Sequence, residues 1–141
     1  MEKILLVPIN DDSEQSQQVI DYAVQIARVT GFTIELFHVQ PKINTHYATK
    51  MIGKKQLELY KEECATKLLN KGKESISEDI NVITIWKKGI PADEICKEAK
   101  NKKAFLIVMG TKNMKKVTGR LIGSTCYRVV RHAPCPVTIV S

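Results

Sequence analysis

The sequence predicts a doubly wound α/β fold: a five-stranded parallel sheet with helices on both faces, in a single domain over residues 1–141. Five short apolar, largely β-branched runs recur along the chain, and segments of helical period separate them. No linker, repeat or low-complexity stretch divides the 141 residues, a length that buries a core without staples.

Each element follows from its residues. Residues 4–7, Ile-Leu-Leu-Val, make the first strand, and Pro8 ends it by removing a ladder donor. Asp11, Asp12 and Ser13 supply capping side chains, with Gln15 three residues after Asp12 as the return arm of a capping box. Val19, Ile20, Ala23, Val24 and Ala27 then repeat at helical spacing until Gly31 stops the helix. Residues 33–39 read as the second strand. Residues 48–75 form a long helix whose inner face is assigned to Ile52, Leu57, Tyr60, Cys64 and Leu68. Residues 81–86 alternate as the third strand. Pro91 suits a first helical position, and Ala92, Ile95, Cys96 and Ala99 follow on one face. Residues 104–109 are wholly apolar and make a central fourth strand. Ile122, Cys126, Val129 and Val130 form the inner face of the last helix, which Pro134 and Pro136 end before a final strand at 136–140.

Right-handed crossovers place ligands of such a sheet at the carboxyl ends of its strands, beside the switch point in strand order. The loops at that end are 8–13, 40–47 and 110–122. The third is the most informative stretch of the chain. Met109-Gly110-Thr111-Lys112-Asn113 follows an apolar run, and Gly123-Ser124-Thr125 opens the next helix. Gly110 is expected to turn the chain off the strand, and Gly123 to let backbone approach a ligand. Ser124 and Thr125 add hydroxyls at a helix start that already favours an anion.

Charge agrees. The chain holds 22 Lys and Arg against 15 Asp and Glu, a net +7, and no acid follows Glu98. Nine bases lie beyond it, leaving 13 bases against 15 acids in residues 1–98. Lys112, Lys115, Lys116 and Arg120 fall inside the glycine loop, whereas Lys100, Lys102 and Lys103 read as a solvated face. The eight aromatic residues are scattered without a stacking platform, so nucleic acid is not the expected partner. No apolar run approaches the roughly 20 residues that span a bilayer, and the first residues lack a secretory pattern. Cys64, Cys96, Cys126 and Cys135 form no metal-spaced pair and read as small apolar residues of a reducing, cytoplasmic compartment. His38 reads as a packed core histidine, and no catalytic or metal-ligating set emerges.

Several motifs in order resemble the universal stress protein family across essentially the whole chain. They are Ile4-Leu-Leu-Val-Pro8 with Asp12-Ser13-Glu14-x-Ser16, Leu36-Phe-His38-Val39, Gly89-Ile-Pro91-Ala92-Asp-Glu-Ile95, Leu106-Ile-Val-Met109-Gly110, Gly123-Ser124, and Arg131-His132-Ala-Pro134-Cys135-Pro136-Val137. The resemblance implies a Rossmann-like, adenine nucleotide alpha hydrolase-like fold and the ATP-binding subgroup, with ATP and a bridging Mg²⁺ as ligands. It implies that Pro8, Ile9 and Asn10 line the nucleoside side of a cleft and that Val39 offers backbone to the base. Met109 and Gly110 would flank the ribose and first phosphate, while Asn113, Gly123, Ser124 and Thr125 cradle the phosphates. Charge and loop position add Lys112 and Arg120. Two positions depart from the family pattern: Asn113 stands for a glycine and Asn10 for an aspartate. Asn tolerates a left-handed backbone, so the turn survives; Asn10 loses a carboxylate.

The implied function is a cytosolic regulator of the stress response that binds an adenine nucleotide and acts through an unknown protein partner. A homodimer through the C-terminal strand is expected. The alternatives are a slow ATPase or autokinase, with Ser124 or Thr125 as acceptor, and a dimeric interaction module that binds no nucleotide.

Overall fold

The computed structural model describes residues 2–41, 53–111 and 123–141. Its elements are β1 (Ile4–Pro8), α1 (Glu14–Thr30), β2 (Thr33–Gln40), α2 (Lys54–Glu74), β3 (Val82–Lys88), α3 (Pro91–Asn101), β4 (Leu106–Gly110), α4 (Ser124–His132) and β5 (Val137–Val140). All five strands pair in parallel in the order β3-β2-β1-β4-β5. β1 therefore occupies the centre, and β4 is interior beside it. The wholly apolar β4 run reflects burial on both faces, which an interior position supplies as well as a central one.

Alternation along the strands splits the core in two. Leu5, Val7, Ile34, Leu36 and Val108 pack under α1 and α2 with Val19, Ile20, Ala23, Ala27 and Leu69. Leu6, Phe37, Val39, Ile107 and Met109 point the other way, against Ala92, Ile95 and Ala99 of α3 and Cys126 and Val129 of α4. One-residue steps along a strand thus feed opposite layers.

Local chemistry sets the ends of the helices. Ser13, not Asp12, caps α1: its hydroxyl accepts from the Ser16 N–H at 3.3 Å. Asp11 braces that turn, accepting from the Ser13 N–H at 3.1 Å and the Ser16 hydroxyl at 2.8 Å. Gly31, at φ 75°, closes α1 in the left-handed region as a C-terminal glycine.

Two faces differ from expectation. In α2 the buried positions are Leu57, Lys61, Ala65, Leu69 and Gly72, and Tyr60 is 59% exposed. A stripe that includes a lysine and a glycine is not marked by apolarity, and the Gln40 side-chain amide holds it by donating to the Lys61 carbonyl at 3.3 Å. In α4 Cys126 and Val129 are buried, whereas Val130 is 48% exposed because it lies one step around the helix from Val129. Ile52 and Ile122 lie outside the described residues. Trp86 packs at the edge of the α1/α2 core, and His38 is buried as expected.

The core also holds charge. Glu35 of β2 and Glu98 of α3 are buried, and Lys102, just past α3, reaches them at 3.2 and 3.8 Å. Lys87 approaches Glu98 at 3.7 Å. Lys102 is exposed, as a solvated face requires, with its side chain 38% accessible, yet its ammonium also reaches the two buried carboxylates. Burial pushes the Glu35 carboxyl up to about 8; the hydrogen bond and charge of Glu98 add to that, and Lys102 opposes it.

Candidate functional site

Between β1 and β4 the crossovers diverge, since β1 leads through α1 to β2 on one side and β4 through α4 to β5 on the other. A crevice opens there at the carboxyl ends of the strands. It is a cavity of about 160 Å³, and its lining includes Pro8, Ile9, Asn10, Met109, Gly110, Gly123, Ser124 and Thr125. Eight of the sequence-predicted residues thus converge on one space.

The ladder between β1 and β2 runs past Pro8 to hold the first of these. The Ile9 N–H donates to the Phe37 carbonyl at 2.9 Å, and His38 Nδ1–H donates to the Ile9 carbonyl at 2.8 Å. A carbonyl only accepts, so the proton sits on Nδ1. His38 thereby clamps the backbone immediately before Asn10.

Val39 faces a second cavity, of about 460 Å³, also lined by Asn10, Asp11, Asp12, Gln40, Lys67 and Lys71. Among the described residues Asn10 alone lines both spaces, so the two adjoin at its side chain. Asp12 pairs with Lys71 at 2.8 Å, and that hydrogen bond holds its carboxyl below the usual range. Lys67 and Lys71 bring positive charge from α2, far in sequence from the basic glycine loop. Lys112, Asn113 and Arg120 lie outside the described residues.

Gly110 acts differently from the sequence expectation. Gly110 is absent from the glycines with positive φ and needs no special backbone. A Cβ there would sit 3.2 Å from Gln15 Cδ and 3.2 Å from Val19 Cγ2, so its missing side chain lets α1 lie close against β4. Gly123, at φ −61° and ψ 155°, is the N-cap of α4 and provides no side-chain cap. Among the described residues no side chain caps the first-turn N–H groups of α4, and Ser124 and Thr125 line the crevice beside them.

Sequence reasoning missed Gln15 and Thr111. Gln15 does not close a capping box; its amide crosses the crevice and donates to Thr111 Oγ1 at 3.1 Å. Its i+3 spacing from Asp12 signalled a cap equally well, and only the close approach at Gly110 distinguishes the two. Ser16 and Cys126 complete this wall, and burial raises the Cys126 thiol above its ordinary pKa.

Comparison with known proteins bears on the family and the fold. The model of the universal stress protein family matches residues 1–141. A universal stress protein of Methanocaldococcus jannaschii is 33% identical over 98% of this chain and 81% of its own length. The universal stress protein YxiE of Bacillus subtilis is 31% identical over 96% of this chain and 97% of its own. The solved universal stress protein of Archaeoglobus fulgidus in complex with dAMP superposes with a TM-score of 0.73, covering 100% of this chain and 98% of its own at 19% identity.

Proposed function

Because the chain belongs to the universal stress protein family, we propose that it binds an adenine nucleotide, ATP foremost, in the crevice between β1 and β4. The uncapped N-terminus of α4 carries this reading. Gly123 leaves the first-turn amides free, and Ser124 and Thr125 stand beside them at the wall of the cavity. The adenosine moiety extends past Asn10 into the second cavity, where Val39 presents backbone to the base and Lys67 and Lys71 add charge. The fold relative solved with dAMP supports the same ligand class. Lys112, Asn113 and Arg120, which lie outside the described residues, are assigned to the phosphates by charge and by the family resemblance, and Mg²⁺ would supply further neutralising charge there.

Nucleotide occupancy is read out by a protein partner in the cytoplasm as a stress-response signal. The protein acts as a homodimer through β5, an edge strand that pairs within its own sheet with β4 alone among the described residues. Isothermal titration of nucleotide-stripped protein with ATP, with and without Mg²⁺ and with GTP as control, tests the site. Micromolar, ATP-selective binding that Gly123→Val abolishes is expected. The absence of heat at millimolar ATP would overturn the nucleotide reading in favour of an interaction module.

A further inference from the structure

Thr111 leaves β4 at the foot of the glycine loop, on the wall of the first cavity. Two hydrogen bonds fix it. Its carbonyl accepts the Gly123 N–H at 2.9 Å, which ties the two feet of the loop together and holds the start of α4 beside it. Its hydroxyl accepts the Gln15 amide N–H at 3.1 Å. Gln15 has room to reach it because residue 110 has no Cβ, which would otherwise meet Gln15 Cδ at 3.2 Å and Oε1 at 3.3 Å.

A threonine hydroxyl carries one proton and two lone pairs. With a lone pair engaged by the Gln15 amide, its proton has no acceptor among the described residues, and both side chains line the cavity beside the start of α4. We propose that Thr111 donates its hydroxyl proton to a phosphate oxygen of the bound nucleotide, and that Gln15 is the positioning residue that sets the direction of that donor. The proposal rests on the nucleotide reading above and adds to it a phosphate contact outside the glycine and Ser124–Thr125 set. Gly110 then has a second purpose: its hydrogen leaves Gln15 the path across.

ATP titration of Thr111→Val, Thr111→Ser and Gln15→Met, alone and with Gln15→Met combined with Thr111→Val, tests this. Adenosine competition serves as the phosphate-free control, and apo melting is followed alongside. Loss of a hydrogen bond to a charged group predicts that Thr111→Val weakens ATP about tenfold or more, with adenosine unchanged. Thr111→Ser keeps the hydroxyl and stays near wild type. Gln15→Met weakens ATP in the wild-type background and has no further effect once Thr111 is replaced by valine. Should Thr111→Val lower melting, Thr111→Ala replaces it and the serine rescue decides. ATP binding by Thr111→Val equal to wild type, or by Thr111→Ser as poor as by valine, overturns the proposal while leaving the nucleotide reading standing. An undiminished Gln15→Met effect beside valine overturns the positioning role of Gln15. Absence of ATP binding in the wild type overturns both readings together.

Discussion

Replacing Glu35 by glutamine should stabilise the protein, and the gain should grow with pH. Glu35 is 0% exposed, its Oε1 accepts from Lys102 Nζ at 3.2 Å, and its Oε2 has no hydrogen bond among the described residues, nor has Glu98 Oε2, which Lys102 approaches only to 3.8 Å. A proton on Glu35 shared with Glu98 gives both orphaned oxygens a partner. Burial, reinforced by Glu98, raises the carboxyl from its ordinary 4.5 to about 8. A raised folded pKa means that the native state holds a proton the unfolded chain releases. Stability is therefore full below 4.5, falls as pH rises, and levels off above about 8. The slope is about 1.4 kcal/mol per pH unit, which puts the loss near 3 kcal/mol by pH 7 and near 5 kcal/mol at the plateau, to order of magnitude. A glutamine side chain at this position cannot ionise, yet it keeps an acceptor for Lys102 and offers N–H to Glu98. Urea unfolding of wild type and Glu35→Gln between pH 5 and 9 isolates this residue, because other titrations cancel in the difference. The two proteins should match near pH 5 and diverge upward in favour of glutamine. A glutamine variant less stable than wild type by about 3 kcal/mol at pH 8 would mean that Glu35 is ionised and paired with Lys102, and would refute the shared proton.

Gly110→Ala places a methyl 3.2 Å from Val19 Cγ2 in the core and from Gln15 Cδ, and thermal melting should show a loss of about 1–2 kcal/mol. Ser13→Ala removes the acceptor for the Ser16 N–H and should cost about 1 kcal/mol in urea unfolding, with Asp11 unable to replace it from outside the helix. Burial raises the thiols of Cys96, Cys126 and Cys135, so native protein at pH 7 should alkylate with iodoacetamide far more slowly at these positions than urea-unfolded protein, as peptide mass mapping would read.

The fold was legible because the interior strands are buried on both faces and so announce themselves as apolar runs, whatever their neighbours. Thr33–Gln40 stayed legible even with Glu35 and His38 inside it, since β-branched and aromatic residues surround both. What composition could not reveal is why those two polar residues are tolerated. Glu35 depends on Lys102 and Glu98, 67 and 63 positions away, and His38 on the Ile9 carbonyl, 29 positions away. The inner face of α2 failed for the complementary reason. Lys61 and Gly72 occupy buried positions while Leu59 and Tyr60 face outward, so packing there is decided by shape. Gly72 shows it directly, since a Cβ would come within 3.1 Å of Leu36 Cδ1.

The candidate site was legible wherever chain order places its parts at strand ends, and hidden wherever two elements must approach. Pro8 to Asn10, Met109, Gly110 and Gly123 to Thr125 follow β1 and β4 or begin α4, so parallel topology alone brings them together at the switch point. Val39 sits at the end of β2, one strand further out, and the same topology moves it into the neighbouring cavity. Asn10, on the border of the two, therefore has a role that neither cavity alone suggests. The resemblance puts an aspartate at this position, and the amide here adds no negative charge to a border that Asp11 and Asp12 already flank. Asp11 and Asp12 already offset Lys67 and Lys71 along the second cavity, so a carboxylate at position 10 would leave that border net negative. The amide at position 10 thus spares any anion in the crevice a repulsion that a carboxylate there would bring.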